Sequence, residues 1–225
     1  DRVIDSMAGH VFEATWLSHD QANDLALDPY DALLIGPGWG RAEANRTLLH
    51  NLLGKEQHPP LIVDADGLNL LSEMPDWWTQ LPPNTILTPH PGEMSRLSDL
   101  STQEIQANRQ AVALEKAAAW NVIVLLKGAH TLIVSPEGRS VTLPFKTDAL
   151  AKAGTGDVLA GVIVGLLAQG VAPFEAAAAG GYLHGLAGEL AAQTLDTTRS
   201  VLAGDVVDHL AQALTRVERR GFVMG

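Results

Sequence analysis

The sequence predicts an α/β fold: a three-layer α/β/α sandwich on a mostly parallel sheet, with a hairpin at the sheet edge. Three observations carry this. Short runs that are apolar at every position alternate with helical stretches, the pattern of strands covered on both faces by helices. Each such run ends in a Gly- or Pro-rich loop holding a polar residue. Beyond the hairpin the chain is helical.

In order, Asp31–Ile35 is the first strand, followed by Gly36-Pro37-Gly38-Trp39-Gly40 and a helix from Arg41 to Leu53. Pro60–Val63 is the second strand and runs into Asp64-Ala65-Asp66-Gly67. Thr85–Thr88 is the third, ending in Pro89-His90-Pro91-Gly92-Glu93. Ser101 and Glu104 have the spacing of a capping box and open a helix expected to reach Trp120. Val122–Leu126 is the fourth strand, ending in Lys127-Gly128-Ala129-His130. Thr131–Val134 and Ser140–Leu143 flank Pro136-Glu137-Gly138 as an edge hairpin. Three helices follow: one from the Asp157 motif to Gly170, one with Pro173 in its first turn, and one over about Ala203 to Arg219.

The chain has 225 residues, 46% of them hydrophobic, enough for one domain over 1–225 with a full core. A formal charge of −11 argues against nucleic acid and anionic membrane surfaces as partners. Cysteine is absent, which excludes disulfides, thiolate metal sites and a cysteine nucleophile, and fits a cytoplasmic setting. No apolar stretch has membrane-spanning length and no signal peptide is visible; Asp1 is not an initiator methionine.

Ala153-Gly154-Thr155-Gly156-Asp157-Val158-Leu159-Ala160-Gly161 is the densest chemical signal. Backbone N–H groups of Gly154, Thr155 and Gly156, at a helix start, are suited to cradle an anion. Asp157 beside such a cradle reads as a base that deprotonates a hydroxyl attacking phosphorus. The structural alternative is an N-cap at Thr155 or Asp157. In an open α/β sheet the strand ends share one rim, so Gly38, Asp64, Asp66, His90, Lys127 and Asp157 are expected to converge.

Other motifs are weaker. A dinucleotide fingerprint fails at Arg41, where the pattern needs a small residue, and no Walker A loop occurs. His90, between two prolines, is either a turn residue or a ligand contact. Glu93 reads as a first-turn acid. Asp64 and Asp66 are equally turn formers or Mg²⁺ carriers. His184, amid small residues, reads as a packed, satisfied histidine. Trp39 is either a packing residue or a pocket wall, with the flanking glycines favouring the wall.

Taken in order, Gly-Pro-Gly-Trp-Gly (36–40), Asp-Ala-Asp-Gly-Leu-Asn (64–69), Thr-Pro-His-Pro-Gly-Glu-Met (88–94), Leu-Lys-Gly-Ala-His-Thr (126–131), residues 153–161 and Leu-His-Gly-Leu-Ala-Gly (183–188) resemble the ADP/ATP-dependent NAD(P)H-hydrate dehydratases of the ribokinase-like superfamily. The resemblance implies nucleotide-driven, ADP-dependent dehydration of hydrated NADH or NADPH, giving NAD(P)H, AMP and phosphate, with Mg²⁺ as cofactor. It implies Asp157 as catalytic base; Gly38, His90 and Asp157 as contacts to the hydrated dinucleotide; and Lys127, Gly128, Ala129, His130, Thr131 and Gly156 as contacts to the adenine nucleotide. A homo-oligomer is expected. Trp39 and His130 depart from the family's usual leucine and glycine, and His130 is expected to bring bulk near the nucleotide. The family's preceding strand, loop and helix have no recognisable counterpart before Asp31. A small-molecule kinase of the hydroxymethylpyrimidine or thiazole type, and a non-catalytic nucleotide-binding protein, are the alternatives.

Overall fold

A computed structural model describes residues 2–221. Two short helices come first, α1 (Arg2–Met7) and α2 (His19–Asn23). The second starts at a capping box that the sequence reading missed: Gln21 N–H donates to Ser18 Oγ, and Ser18 N–H to Gln21 Oε1. Strand β1 (Leu33–Ile35), helix α3 (Glu43–Leu53), strand β2 (Leu61–Val63), helix α4 (Asp66–Leu71) and strand β3 (Ile86–Leu87) follow. Helices α5 (Pro91–Ser98), α6 (Thr102–Ala107) and α7 (Arg109–Trp120) lead to β4 (Ile123–Leu126) and the hairpin β5 (Leu132–Val134) and β6 (Ser140–Thr142). Helices α8 (Thr155–Ala168), α9 (Pro173–Thr194), α10 (Ala203–Asp208) and α11 (Leu210–Gly221) complete the described chain.

Spatial order equals sequence order, β1-β2-β3-β4-β5-β6. The first four strands are parallel and the last two pairings antiparallel, the expected mostly parallel sheet with an edge hairpin. Right-handed crossovers that always step the same way put their helices on one face. Strand residues sort accordingly. Leu61, Val63, Leu87, Val124, Leu126, Leu132 and Val134 pack with α3 to α7. Their alternates Ile62, Ile86, Ile123, Leu125 and Ile133 pack with α8 and α9. Period-two alternation between two buried faces is why these runs are apolar throughout. Each fully buried Ile or Leu contributes about 1.5–3 kcal/mol. No helix among the described residues is long and apolar enough to cross a membrane.

Two helices read as continuous are broken. The Ser101–Glu104 box is present, but Asn108 leaves helical geometry (φ −134, ψ 40) and divides α6 from α7. The break re-aims Arg109, whose guanidinium donates to the Leu126 and Lys127 carbonyls at 2.9 and 3.3 Å. The C-terminal helix is divided at His209, whose ring meets the Asp205 carbonyl and the Thr194 hydroxyl.

Candidate active site

The carboxyl ends of the strands do form one rim. After β1, Gly36 adopts φ +115 and lies so close to Asp64 and Gly67 that any Cβ would overlap the Asp64 carbonyl. This close approach is why the loop begins with glycine. Gly40 N–H donates to Asp66 Oδ2 at 2.8 Å, and Asn69 reaches Asp66 Oδ1 at 3.4 Å. Asp66 is therefore a loop tether. Gly38 sits exposed at the tip of this loop. Trp39 is half-buried against the cluster under α3 to α7 and does not line the cavity described below. That cluster supplies the neighbours its flanking glycines lack.

After β2 and β4, Asp64 and Lys127 meet. Lys127 Nζ lies 2.7 Å from Asp64 Oδ1, which is buried, and 3.7 Å from Glu93 Oε2. Glu93 is the expected first-turn acid of α5: its Oε2 accepts the His90 N–H at 2.8 Å. It is also buried and turned to Lys127. His90 caps α5 with its ring, Nδ1 accepting from Gly92 N–H at 2.9 Å and Glu93 N–H at 3.3 Å. The cap commits Nδ1 as acceptor and leaves the proton of the neutral ring on Nε2, 3.5 Å from Glu93 Oε1. His90 is thus the turn residue of one reading, and its half-exposed ring also lines the cavity.

Gly154, at φ +85, is the N-cap of α8, and no side chain caps the helix. The capping alternative for Thr155 and Asp157 is excluded. Thr155 Oγ1 turns back to the Leu150 and Lys152 carbonyls at 2.7 and 2.8 Å, and its N–H points to Lys152 O. Of the three amides expected to cradle an anion, that of Thr155 is thus already engaged. A Cβ at Gly156 would lie 3.6 Å from Lys127 Nζ, so the ammonium stands at the first turn of α8. Burial raises the Asp157 pKa, the Asp64 charge raises it further, and Lys127 opposes both. A carboxylate whose pKa is raised is a stronger base and better suited to accept a proton.

A cavity of about 500 Å³ opens beside this cluster. It is lined by His90, Lys127, Gly128, Thr155 and Gly156, by Lys146, Thr147, Asp148 and Lys152, and by the apolar Leu143, Phe145, Leu150 and Leu159 against helix α9. Glycines shape that wall. A Cβ at Gly181 would lie 2.7 Å from Leu143, and one at Gly185 would overlap the Phe145 ring. Ala129 and Thr131 line the cavity, whereas His130 does not. His130 takes φ +56, its N–H donates to Phe145 O, and its ring is directed to the Leu143 carbonyl at 3.4 Å. A left-handed residue at this turn explains a usual glycine, and the histidine's bulk stays out of the cavity. Gly38, Gly154 and Asp157 lie outside the cavity lining as well.

Two residues escaped the sequence reading. Arg109 braces the Lys127-Gly128 turn from beneath. His184 is neither satisfied nor remote: it lines the cavity, and its buried Nε2 has no hydrogen-bond partner among the described residues. Nothing but a buried polar residue in an otherwise small, apolar helix hinted at this.

A family model described as NAD(P)H-hydrate dehydratase matches residues 4–212. The chain belongs to the NAD(P)H-hydrate dehydratase family. Among family members, the bifunctional NAD(P)H-hydrate repair enzyme Nnr of Moorella thermoacetica is 42% identical over 204 residues, covering 90% of this chain and 38% of that protein. The ADP-dependent (S)-NAD(P)H-hydrate dehydratase of Neisseria meningitidis is 37% identical over 190 residues, covering 83% of this chain and 64% of its relative. The chain thus spans less than two thirds of either. A crystal structure of the ADP/ATP-dependent NAD(P)H-hydrate dehydratase of Bacillus subtilis, co-crystallised with ATP/Mg²⁺ and soaked with CoA, superposes with a TM-score of 0.83 at 32% identity, covering 96% of this chain and 78% of that one. The dehydratase fold is the ribokinase-like α/β sandwich expected.

Asp66 holds the Gly40 loop and Asp64 holds Lys127, so the pair does not offer itself to Mg²⁺. No group of three or more His, Cys, Asp or Glu among the described residues is placed to hold a metal ion.

Proposed function

We propose that this chain dehydrates hydrated NADH or NADPH back to NAD(P)H, driven by ADP, which becomes AMP and phosphate. The observation that carries the reading is Asp157: an uncapped, pKa-raised carboxylate in the first turn of α8, within the field of Lys127 and beside a nucleotide-sized cavity. The family membership and the Neisseria relative's ADP dependence support the same choice.

The hydroxyl oxygen of the hydrated ring attacks the terminal phosphorus of ADP, and the bond from that phosphorus to the AMP oxygen breaks. Asp157 takes the hydroxyl proton. Lys127 and the first-turn amide of Gly156 stabilise charge on the transferring group. The ring nitrogen's lone pair then expels phosphate, breaking the carbon–oxygen bond. Loss of a proton from the adjacent carbon restores the dihydronicotinamide. Gly38 and His90 contact the dinucleotide, while Lys127 to Thr131 with Gly156 contact the adenine nucleotide. Because His90 and Lys127 line one cavity, the two ligands adjoin at this point. Mg²⁺ would arrive with the nucleotide and would supply neutralisation of phosphate charge. The working form is a homo-oligomer of the cytoplasm, without nucleic acid or membrane partners.

The test is incubation with hydrated NADH and ADP or ATP, following absorbance of the reduced nicotinamide. Recovery of the band with AMP formation is expected. Nucleotide turnover only with a pyrimidine or thiazole alcohol would make it a kinase, and binding without turnover a nucleotide-binding protein.

A further inference from the structure

Just past β4, backbone pairing gives way to a side chain. Lys127 N–H still donates to Pro89 O at 2.9 Å, but the Lys127 carbonyl receives no backbone N–H among the described residues. The donor it has is Arg109 Nη2 at 3.3 Å, which also donates to Leu126 O at 2.9 Å. Gln106 Oε1 accepts from Arg109 Nη1 at 3.1 Å and steadies the guanidinium. Gly128 takes φ +145, and a Cβ there would lie 3.1 and 3.2 Å from the two terminal nitrogens of Arg109. The guanidinium therefore lies against Gly128 where a side chain would project. Lys127, Gly128, Ala129 and Thr131 line the cavity, and Arg109 does not.

The Lys127–Gly128 peptide is a planar unit whose carbonyl and N–H point in opposite directions. Glycine accepts φ of either sign, so the local backbone leaves open which way this plane faces. The next carbonyl, that of Gly128, is already taken by Thr131 Oγ1 at 3.0 Å. Arg109 fixes the plane before it, because a planar, always charged fork holds two successive carbonyls as a unit. With the Lys127 carbonyl turned to Arg109, the Gly128 N–H is turned away from it. Neither that N–H nor the Ala129 N–H has an acceptor among the described residues, and both residues are exposed. An accessible, unpaired N–H at a cavity wall is open to a ligand atom that accepts.

We propose that Arg109 is a positioning residue for nucleotide binding: by holding the Leu126 and Lys127 carbonyls it keeps the Gly128 N–H turned into the cavity, where it donates to an acceptor atom of the adenine nucleotide. The inference rests on the nucleotide reading above.

Two measurements test it. In wild type, amide hydrogen exchange is followed residue by residue by NMR with and without ADP. Exchange at Gly128 is expected to be fast in the free protein and slowed by ADP. In Arg109→Ala, calorimetric titration is expected to show ADP binding weakened about tenfold or more, as loss of hydrogen bonds from a charged group provides. Affinity for hydrated NADPH should be retained, and ADP should no longer slow exchange at Gly128. Guanidinium ion, added well below denaturing concentration, should restore part of the ADP affinity, whereas sodium chloride at equal ionic strength should not. Thermal unfolding checks that the variant is folded, and the exchange measurement on wild type needs no variant. Gly128 exchange indifferent to ADP in wild type would overturn the proposal. So would equal weakening of ADP and hydrated NADPH in Arg109→Ala, or a lowered Tm with ADP affinity intact, the marks of a merely structural brace. Failure of wild type to bind ADP at all would remove the nucleotide reading itself, whereas ADP binding that leaves Gly128 unprotected removes this inference alone.

Discussion

Lys127 and Asp64, 63 residues apart in sequence, form a 2.7 Å ion pair whose carboxylate is 1% exposed. They follow β4 and β2, strands separated by β3, so the pair bridges about 10 Å of sheet. A long lysine spans that gap and a shorter cation does not. Glu93, in the first turn of α5 after β3, completes the cluster.

Removing the cation leaves Asp64 buried and uncompensated. Lys127→Met is expected to destabilise the fold by about 3–5 kcal/mol. Adding Asp64→Asn in the same chain should recover most of the loss, since the amide needs no counter-charge. Urea denaturation of both variants measures this; a double variant no more stable than the single one would contradict the pairing.

Asp157 must be ionised to take a proton, so the rate falls as pH drops through its raised pKa. The acid limb of kcat/KM is therefore expected above the ordinary aspartate value. Burial and Asp64 raise that pKa while Lys127 lowers it, so Lys127→Met should move the limb to higher pH. A limb displaced downward would mean that another group controls the rate.

Asp157→Asn is expected to cost about two to four orders of magnitude in rate. Its stability should be unchanged or higher. An acid whose pKa is raised on folding binds its proton more tightly in the native state, and its charge weakens the fold as pH rises through that window. A calorimetric Tm at neutral pH below wild type would show that the carboxylate has a structural role instead.

His184 has the opposite linkage. Its folded pKa of about 4 lies below the ordinary 6.5, so the unfolded chain binds the extra proton and stability falls as pH drops from 6.5 towards 4. The loss amounts to about 3 kcal/mol at the lower end. His184→Gln should flatten that part of the stability profile, and denaturant midpoints across the window measure it. A profile parallel to wild type would place the titration elsewhere.

Gly185→Ala tests how the cavity wall is made. The added methyl group overlaps the Phe145 ring, and overpacking of this kind costs about 1–3 kcal/mol. Phe145 lines the cavity, so its displacement should also weaken ADP binding. Normal affinity with normal stability would show that the ring has room to retreat.

What the sequence determined by itself is whatever depends on near neighbours. Runs such as Ile123–Leu126 are apolar at every position because both sheet faces are covered, and that pattern predicts buried parallel strands without coordinates. The Ser101–Glu104 capping box and the glycine-flanked start of α8 are likewise within one helical turn, where spacing alone decides contact. The loops after each strand were legible as one rim because an α/β sheet places them there.

Only the tertiary structure decided what meets across that rim. Asp64 had two equal readings, turn former or Mg²⁺ carrier, and the reach of Lys127 across β3 gave it a third role, as the partner of a buried ion pair. Trp39 turned to the core because a buried cluster lies on that side of its loop. Arg109 reached the end of β4 because Asn108 broke a helix whose residues gave no reason to break. His184 became a cavity residue when Gly181 and Gly185 let Leu143 and Phe145 pack close to α9. In each case the deciding contact joins segments far apart in the chain. Its energy depends on packing and burial between layers, quantities that no local spacing encodes.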